Sequence, residues 1–163
     1  MMENNHHYFS NKEEIVKEYR HLGAYALIIK DEKIVLIKKC GGPYDGKLDL
    51  PGGTIEFGET PEETLKRELL EEIGVEVTEY ELFDANSVTF EWKRKEDEII
   101  NHQHLGIFYN VTNYNNEIKN EVEVDEQNDD SLGADFYDIN KLKRESLSMI
   151  AIMELEKLGY KLQ

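Results

Sequence analysis

The chain has 163 residues, 39% apolar and 33% charged, with 35 acidic against 19 basic side chains and a net charge of −16 at pH 7. That length suits a single domain able to bury an ordinary core, and so negative a surface argues against binding nucleic acid or an anionic membrane. It would equally repel a free phosphate compound, so a phosphate-bearing substrate would need a local reversal of the field, most simply by a bound divalent cation; taken alone, the acidity also serves plain solubility.

Residues 1–10 are polar and lack the basic start and apolar middle of a signal peptide. No apolar run is long enough to span a bilayer. Cys40 is the sole cysteine, which excludes an intrachain disulfide, and together these features point to the cytoplasm. One domain over residues 1–163 is expected, with residues 1–20 as an N-terminal extension, packed on it or partly mobile. No internal repeat or linker interrupts it.

In chain order, residues 11–20 (NKEEIVKEYR) form a short, highly charged stretch that could be helical. Residues 22–30 and 33–39 are β-rich and separated by Asp31-Glu32, the pattern of a hairpin. Residues 40–49 hold glycines and a proline and form a loop. Thr60-Pro61-Glu62-Glu63 is a helix start: Thr60 caps, Pro61 suits the first helical position, and Glu63 closes a capping box. The helix should reach about Ile73 and stop at Gly74. Residues 76–92 contain β-type stretches, 93–98 (KRKEDE) read as a solvated connection, and 105–112 as another strand. Residues 117–130 are an acid-rich surface loop, 134–139 a short strand, and 146–158 a closing helix. Strands flanking a central helix, with a second helix at the end, favour an α/β or α+β sandwich with a mixed sheet.

The central helix carries the chemistry. At about 3.6 residues per turn, with Glu68 at zero, Glu71 falls near −60° and Glu72 near +40°, so three carboxylates share an arc of about 100°. Leu65, Leu69 and Ile73 border that arc as the buried face. Carboxylates this close raise one another's pKa unless a cation sits among them, and hard oxygen ligands on one face suit Mg²⁺ or Mn²⁺. The plainer alternative is a solvated acidic stripe in which Arg67, four residues from both Glu63 and Glu71, makes ordinary helix-surface ion pairs.

The segment GGTIEFGETPEETLKRELLEEIGVEV resembles the Nudix box, G-x(5)-E-x(7)-R-E-U-x-E-E-x-G-U, with U a bulky aliphatic residue. Gly53, Glu59, Arg67, Glu68, Leu69, Glu71, Glu72, Gly74 and Val75 fill its fixed positions, and the β–loop–helix order around it is similar to that family. The resemblance to the Nudix (MutT-like) hydrolases implies an α/β fold, an α/β/α sandwich with a mixed central β-sheet. It implies a Mg²⁺-dependent pyrophosphohydrolase, with Mn²⁺ as a substitute, cleaving the diphosphate linkage of a nucleoside diphosphate derivative or a nucleoside triphosphate. Glu68, Glu71 and Glu72 are then the catalytic, metal-holding residues, with the Gly53 carbonyl as a further ligand. Glu59 and Arg67 pair to hold the loop against the helix, a task suited to the rigid guanidinium fork.

The base that activates water is left open: Glu72 or Glu71, or an acid of the 117–130 loop, Glu121, Glu123, Glu126, Asp129 or Asp130. The group carried by the diphosphate is read by residues outside the box. The three prolines, Pro43, Pro51 and Pro61, include no counterpart of the downstream proline of many ADP-ribose hydrolases. Leu48 stands where many relatives carry an aromatic residue, with Tyr44 further back. Tyr25, Phe90, Trp92, Phe108 and Tyr109 could supply an aromatic surface but read individually as packing. Lys38 or Lys39 could reach a phosphate. His102 and His104, two apart, could face one side of a strand, but no partner with zinc-ligand spacing accompanies them, and they read as ordinary polar residues. The expected partner is a small-molecule diphosphate, with no nucleic acid and no membrane; a homodimer is left open. The rival readings are a catalytically silent nucleotide sensor on the same fold, which losses within the box would favour and this box does not show, and a structural domain with a solvated acidic helix.

Overall fold

In a computed structural model, which describes residues 15–120 and 131–163, the chain builds two four-stranded sheets with a helix against each outer side. Strands β1 (Ile15–Leu27), β5 (Gly52–Thr54), β6 (Glu76–Lys95) and β7 (Glu98–Asn115) form one sheet in the order β5-β1-β7-β6. Its central pair, β1 and β7, is parallel, and both outer pairings are antiparallel. In the second sheet β3 (Lys33–Lys39) pairs antiparallel with β2 (Ile29–Lys30), β4 (Leu48–Asp49) and β8 (Ser131–Asp138). The expected mixed-sheet α/β/α sandwich is therefore the observed architecture.

The expected run over residues 22–30 divides at Ile28, leaving β1 in one sheet and β2 in the other. The β2–β3 turn is Asp31-Glu32, both with positive φ of 51° and 58°, the twist that suits a two-residue hairpin. Helix α1 (Pro61–Ile73) starts as expected: Thr60 accepts from the Glu63 amide, Glu63 accepts from the Thr60 amide, and Pro61 stands in the first turn. Glu63 is thus engaged in the cap. Gly74 ends the helix in the left-handed region at φ 76°, which glycine adopts without strain. Helix α2 (Met149–Lys157) begins at Ser148, whose hydroxyl accepts from the Ala151 amide and donates to Asp49 Oδ1.

Alternation along the strands divides the core between the helices. Leu65, Leu69 and Ile73 of α1, all fully buried, pack on Ala24, Ala26, Val35, Ile37 and Val111. Ile150, Ala151 and Leu155 of α2 pack on Tyr25, Leu27, Ile34, Leu36 and Phe108. Each large aliphatic side chain so buried contributes roughly 1.5–3 kcal/mol.

Two local expectations are corrected. Residues 15–20 are strand, the start of β1, while 11–14 lie outside the described residues. Pairing with β7 overrides the local charge pattern: Lys17 meets Glu98 at 2.7 Å and Arg20 donates to Gln103 at 2.8 Å across the strands. Of the expected N-terminal segment 1–20, residues 15–20 lie in β1 and the rest falls outside the described residues. Residues 93–98 are also mostly strand: β6 runs to Lys95 and β7 resumes at Glu98, with Arg94 gripping the Glu98 carboxylate at 2.6 and 2.7 Å. Of the 117–130 loop, residues 121–130 fall outside the described part.

Candidate active site

The carboxylate face of α1 stands where the helical spacing puts it, beside its buried stripe. Arg67 organises it. Nε and Nη2 donate to the two Glu59 oxygens at 2.6 and 2.8 Å, the bidentate geometry of a guanidinium on a carboxylate. Nη2 also reaches the Thr54 carbonyl at 3.2 Å, while Nη1 donates to Glu68 at 2.8 Å and Glu71 at 3.3 Å. Glu59 further accepts from the Thr64 hydroxyl and the Glu56 amide. The Arg67 and Thr64 hydrogen bonds hold its carboxyl down at about 2, and Glu59 in turn raises the Arg67 guanidinium above its usual range. The loop over residues 55–60 is thereby fastened to α1 by one ionised pair.

Strand β5 brings the backbone to the same place. The Gly52 amide donates to Glu72 Oε2 at 2.9 Å. Gly53 lies against Glu68 so closely that a β-carbon there would stand 2.5 Å from its carboxyl carbon, so a larger residue would make the Glu68 carboxylate shift. Glu71 is the outermost of the three, its side chain 62% exposed against 20% for Glu68.

Among the described residues, no three His, Cys, Asp or Glu side chains already close on one point as a metal cage; Arg67 draws Glu68 and Glu71, and Glu72 faces the Gly52 amide. The donor set nevertheless fits a hard divalent cation: three carboxylates and the backbone of a glycine, oxygen only, on one wall of one cleft. Glu68, Glu71 and Glu72 with the Gly53 carbonyl are the residues that would hold it.

The cleft has a volume of about 870 Å³. Its carboxylate end is formed by Glu56, Glu68, Glu71 and Glu72, and its other end by Tyr19, His21, Tyr25, Tyr44, His102 and His104, with Gly52-Gly53 between. The ring-lined end was not anticipated. Parallel pairing of β1 and β7 sets Tyr19 beside His102, His21 beside His104, Gly23 beside Gly106 and Tyr25 beside Phe108. The two glycines leave a notch in which the Tyr25 and Phe108 rings lean back along their strands; a β-carbon on either would overlap the following ring. Tyr25 Oη then lies 2.7 Å from His104 Nε2 and 3.0 Å from His21 Nε2, and Tyr44 Oη lies 2.9 Å from His104 Nδ1. Burial, with His21 and His102 nearby, lowers the His104 pKa to about 3, so the ring is neutral. Burial lowers His102 as well.

His102 and His104, read as ordinary polar residues, are almost fully buried and line the cleft. The signal was present as a short echo, YRHLGAY at 19–25 and HQHLGIF at 102–108, which the parallel register superimposes. Tyr25 and Tyr44 join the cleft, Phe108 and Tyr109 are core, and Lys39 lines the cleft near Cys40.

A sandwich of this topology with a braced carboxylate helix at a cleft defines a recognisable class. The chain belongs to the NUDIX domain family, whose sequence model matches residues 19–151. Over 49 residues, 30% of this chain and 29% of the other, it is 51% identical to an ADP-ribose pyrophosphatase of Methanocaldococcus jannaschii. Over 44 residues, 27% and 34% of the two chains, it is 53% identical to an 8-oxo-dGTP diphosphatase of Escherichia coli. The match thus spans about a third of the length of these curated relatives. Among solved structures, a MutT NUDIX hydrolase from Burkholderia pseudomallei superposes with a TM-score of 0.62 at 22% identity, over 86% of this chain and 98% of that one, a likeness of fold.

Proposed function

We propose that this protein is a divalent-metal-dependent pyrophosphohydrolase that splits the diphosphate linkage of a nucleoside diphosphate derivative or a nucleoside triphosphate, with Mg²⁺ as its ion and Mn²⁺ as a substitute. The observation that carries the reading is the intact constellation on α1: Glu68, Glu71 and Glu72 front a cleft while Arg67, clamped by Glu59, holds Glu68 and Glu71. A helix with only a solvated stripe has no need of the clamp or of the Gly53 approach to Glu68. The same intactness favours hydrolysis over a silent nucleotide sensor.

The ion, when bound, neutralises the diphosphate, polarises phosphorus and lowers the pKa of water. The chain's own part is positioning. Glu59 fixes Arg67, Arg67 sets the Glu68 and Glu71 carboxylates, and the Gly52 amide sets Glu72. Glu71, the most exposed of the three α1 carboxylates, and Glu72 are candidates to take a proton from an attacking water, beside the acids of the 117–130 loop. The ring-lined end receives what the diphosphate carries.

We place the activity in the cytoplasm. Among the described residues no helix is long and apolar enough to cross a membrane, and Cys40 is free and exposed. Light scattering on the eluting protein decides between a monomer and a homodimer.

The test is product analysis on a panel of nucleoside diphosphate derivatives and triphosphates with Mg²⁺, beside an EDTA control. Monophosphate products that vanish with EDTA, and turnover about 10²-fold or more lower in Glu68→Gln and Glu72→Gln, are expected. Nucleotide binding without any product would replace this reading with the sensor.

A further inference from the structure

We propose that His102 determines which group on the diphosphate is accepted, by offering its imidazole to the edge of a nucleobase seated in the ring-lined end of the cleft; this rests on the diphosphate chemistry proposed above.

The three histidines of that end are not equivalent. His104 has both ring nitrogens within hydrogen-bond distance of Tyr25 and Tyr44, and His21 has Nε2 on Tyr25. These contacts make a fixed wall. His102 is only 4% exposed, yet its Nδ1 is buried without a hydrogen-bond partner among the described residues. A buried polar atom left this way is unfavourable; Asp84, Trp92 and Glu154 carry others among the described residues, but of these residues His102 alone lines the cleft. What surrounds His102 is instead aromatic: Phe90 stacks on it at 5.2 Å and 26°, and Tyr19 lies 5.2 Å away on the exposed rim.

Such surroundings suit a flat ring more than a charged group. A planar base gains from the Tyr19, Tyr25 and Tyr44 rings that line the cleft, by offset or edge-on contact, while Phe90 backs His102 from outside the lining. A neutral imidazole offers one donor and one acceptor, which a base edge complements and an ionised phosphate, with acceptors only, does not; the aromatic neighbours favour a base over a sugar. Cationic selection of a second phosphate is disfavoured because burial opposes protonation of His102. The cleft is large enough to hold both the diphosphate and a base, since sites for compact ligands occupy about 300–1,000 Å³.

The experiment compares kcat/KM for nucleoside diphosphate sugars bearing adenine, guanine, cytosine or uracil with that for the matching abasic diphosphate, in the wild type, His102→Phe and His102→Gln. Phenylalanine keeps the ring volume and loses the nitrogens; glutamine keeps a donor and an acceptor. Calorimetry of the four nucleoside monophosphates in EDTA gives a readout independent of turnover, and melting curves verify that both variants fold. The preference for base-bearing over abasic substrate should drop about 10- to 100-fold in His102→Phe, through KM, and less in His102→Gln, with matching losses in monophosphate affinity. An unchanged preference and unchanged monophosphate affinity in both variants overturns the assignment. If the wild type hydrolyses nothing in this panel or among the nucleoside triphosphates, the hydrolase reading fails by itself, and the monophosphate affinities still decide the role of His102.

Discussion

Gly53 and Glu68 approach so closely that a β-carbon on the glycine would stand 2.5 Å from the carboxyl carbon of the glutamate. The same carboxylate accepts from Arg67 Nη1 at 2.8 Å, so a shift of Glu68 away from a β-carbon also disturbs that hydrogen bond. Gly53→Ala should therefore displace Glu68 without disturbing the buried face of α1. We expect kcat to fall about 10²-fold, the effect of an ångström-scale misplacement, with calorimetric Mg²⁺ affinity weakened and the far-ultraviolet spectrum unchanged.

Arg67→Lys keeps the positive charge and gives up the planar fork that serves Glu59, Glu68 and Glu71 together. A lysine ammonium cannot span these oxygens. Turnover should drop on the order of 10²-fold and the loop over residues 55–60 should become more susceptible to proteolysis. The same clamp has a pH signature. The Glu59 carboxyl is held at about 2, below its ordinary 4.5, so the folded state binds fewer protons than the unfolded across that window. Its stabilisation is complete above about 4.5 and is lost as pH falls toward 2. Glu59→Gln should flatten the acid limb of a denaturation profile.

His104 provides a second acid-sensitive contribution. Its pKa of about 3 lies below the ordinary 6.5, so the stability linked to its neutral ring is present above 6.5 and is lost on acidification through 3. Ring carbon and nitrogen chemical shifts should report a neutral His104 at pH 5, with the Tyr25 and Tyr44 hydrogen bonds intact. A His104 signal titrating near 6.5 would contradict the geometry.

Glu154 works in the opposite direction. It is fully buried on α2, and burial together with the facing Asp84 raises its carboxyl to about 8. Between 4.5 and 8 the folded state binds the extra proton, so this contribution is complete at low pH and is lost as pH rises through 8. Asp84 itself stays ionised: burial pushes its carboxyl up, but the Lys157 ion pair and the Glu154 hydrogen bond bring it below the usual value. Glu154→Gln, keeping shape without charge, should raise the melting temperature at pH 8.5 more than at pH 5.

The legible parts of this molecule are those whose determinants are neighbours in sequence. The Thr60–Glu63 cap, Pro61, the Gly74 terminus and the stripe of Leu65, Leu69 and Ile73 all lie within one helix and its ends, so a fixed rotation per residue was enough to read them. The carboxylate arc of Glu68, Glu71 and Glu72 follows from the same rotation, and Arg67 reaches Glu59 only eight residues back. By contrast, residues 15–20 looked helical because their charges are close in sequence, whereas their conformation is set by β7, some eighty positions on. The aromatic lining failed to announce itself for the same reason: Tyr25, Tyr44 and His102 are scattered, and each alone resembles ordinary packing.

What the sequence by itself determined is the capped helix and its acidic face, because hydrogen bonding within one helix and side-chain periodicity depend only on local order. What the tertiary structure alone decided is the face of histidines and tyrosines across the cleft. It arises because a parallel register lays 19–25 beside 102–108 and two paired glycines let the Tyr25 and Phe108 rings fold back. No local rule sets a register between strands so far apart; it is fixed by which faces the two helices must bury.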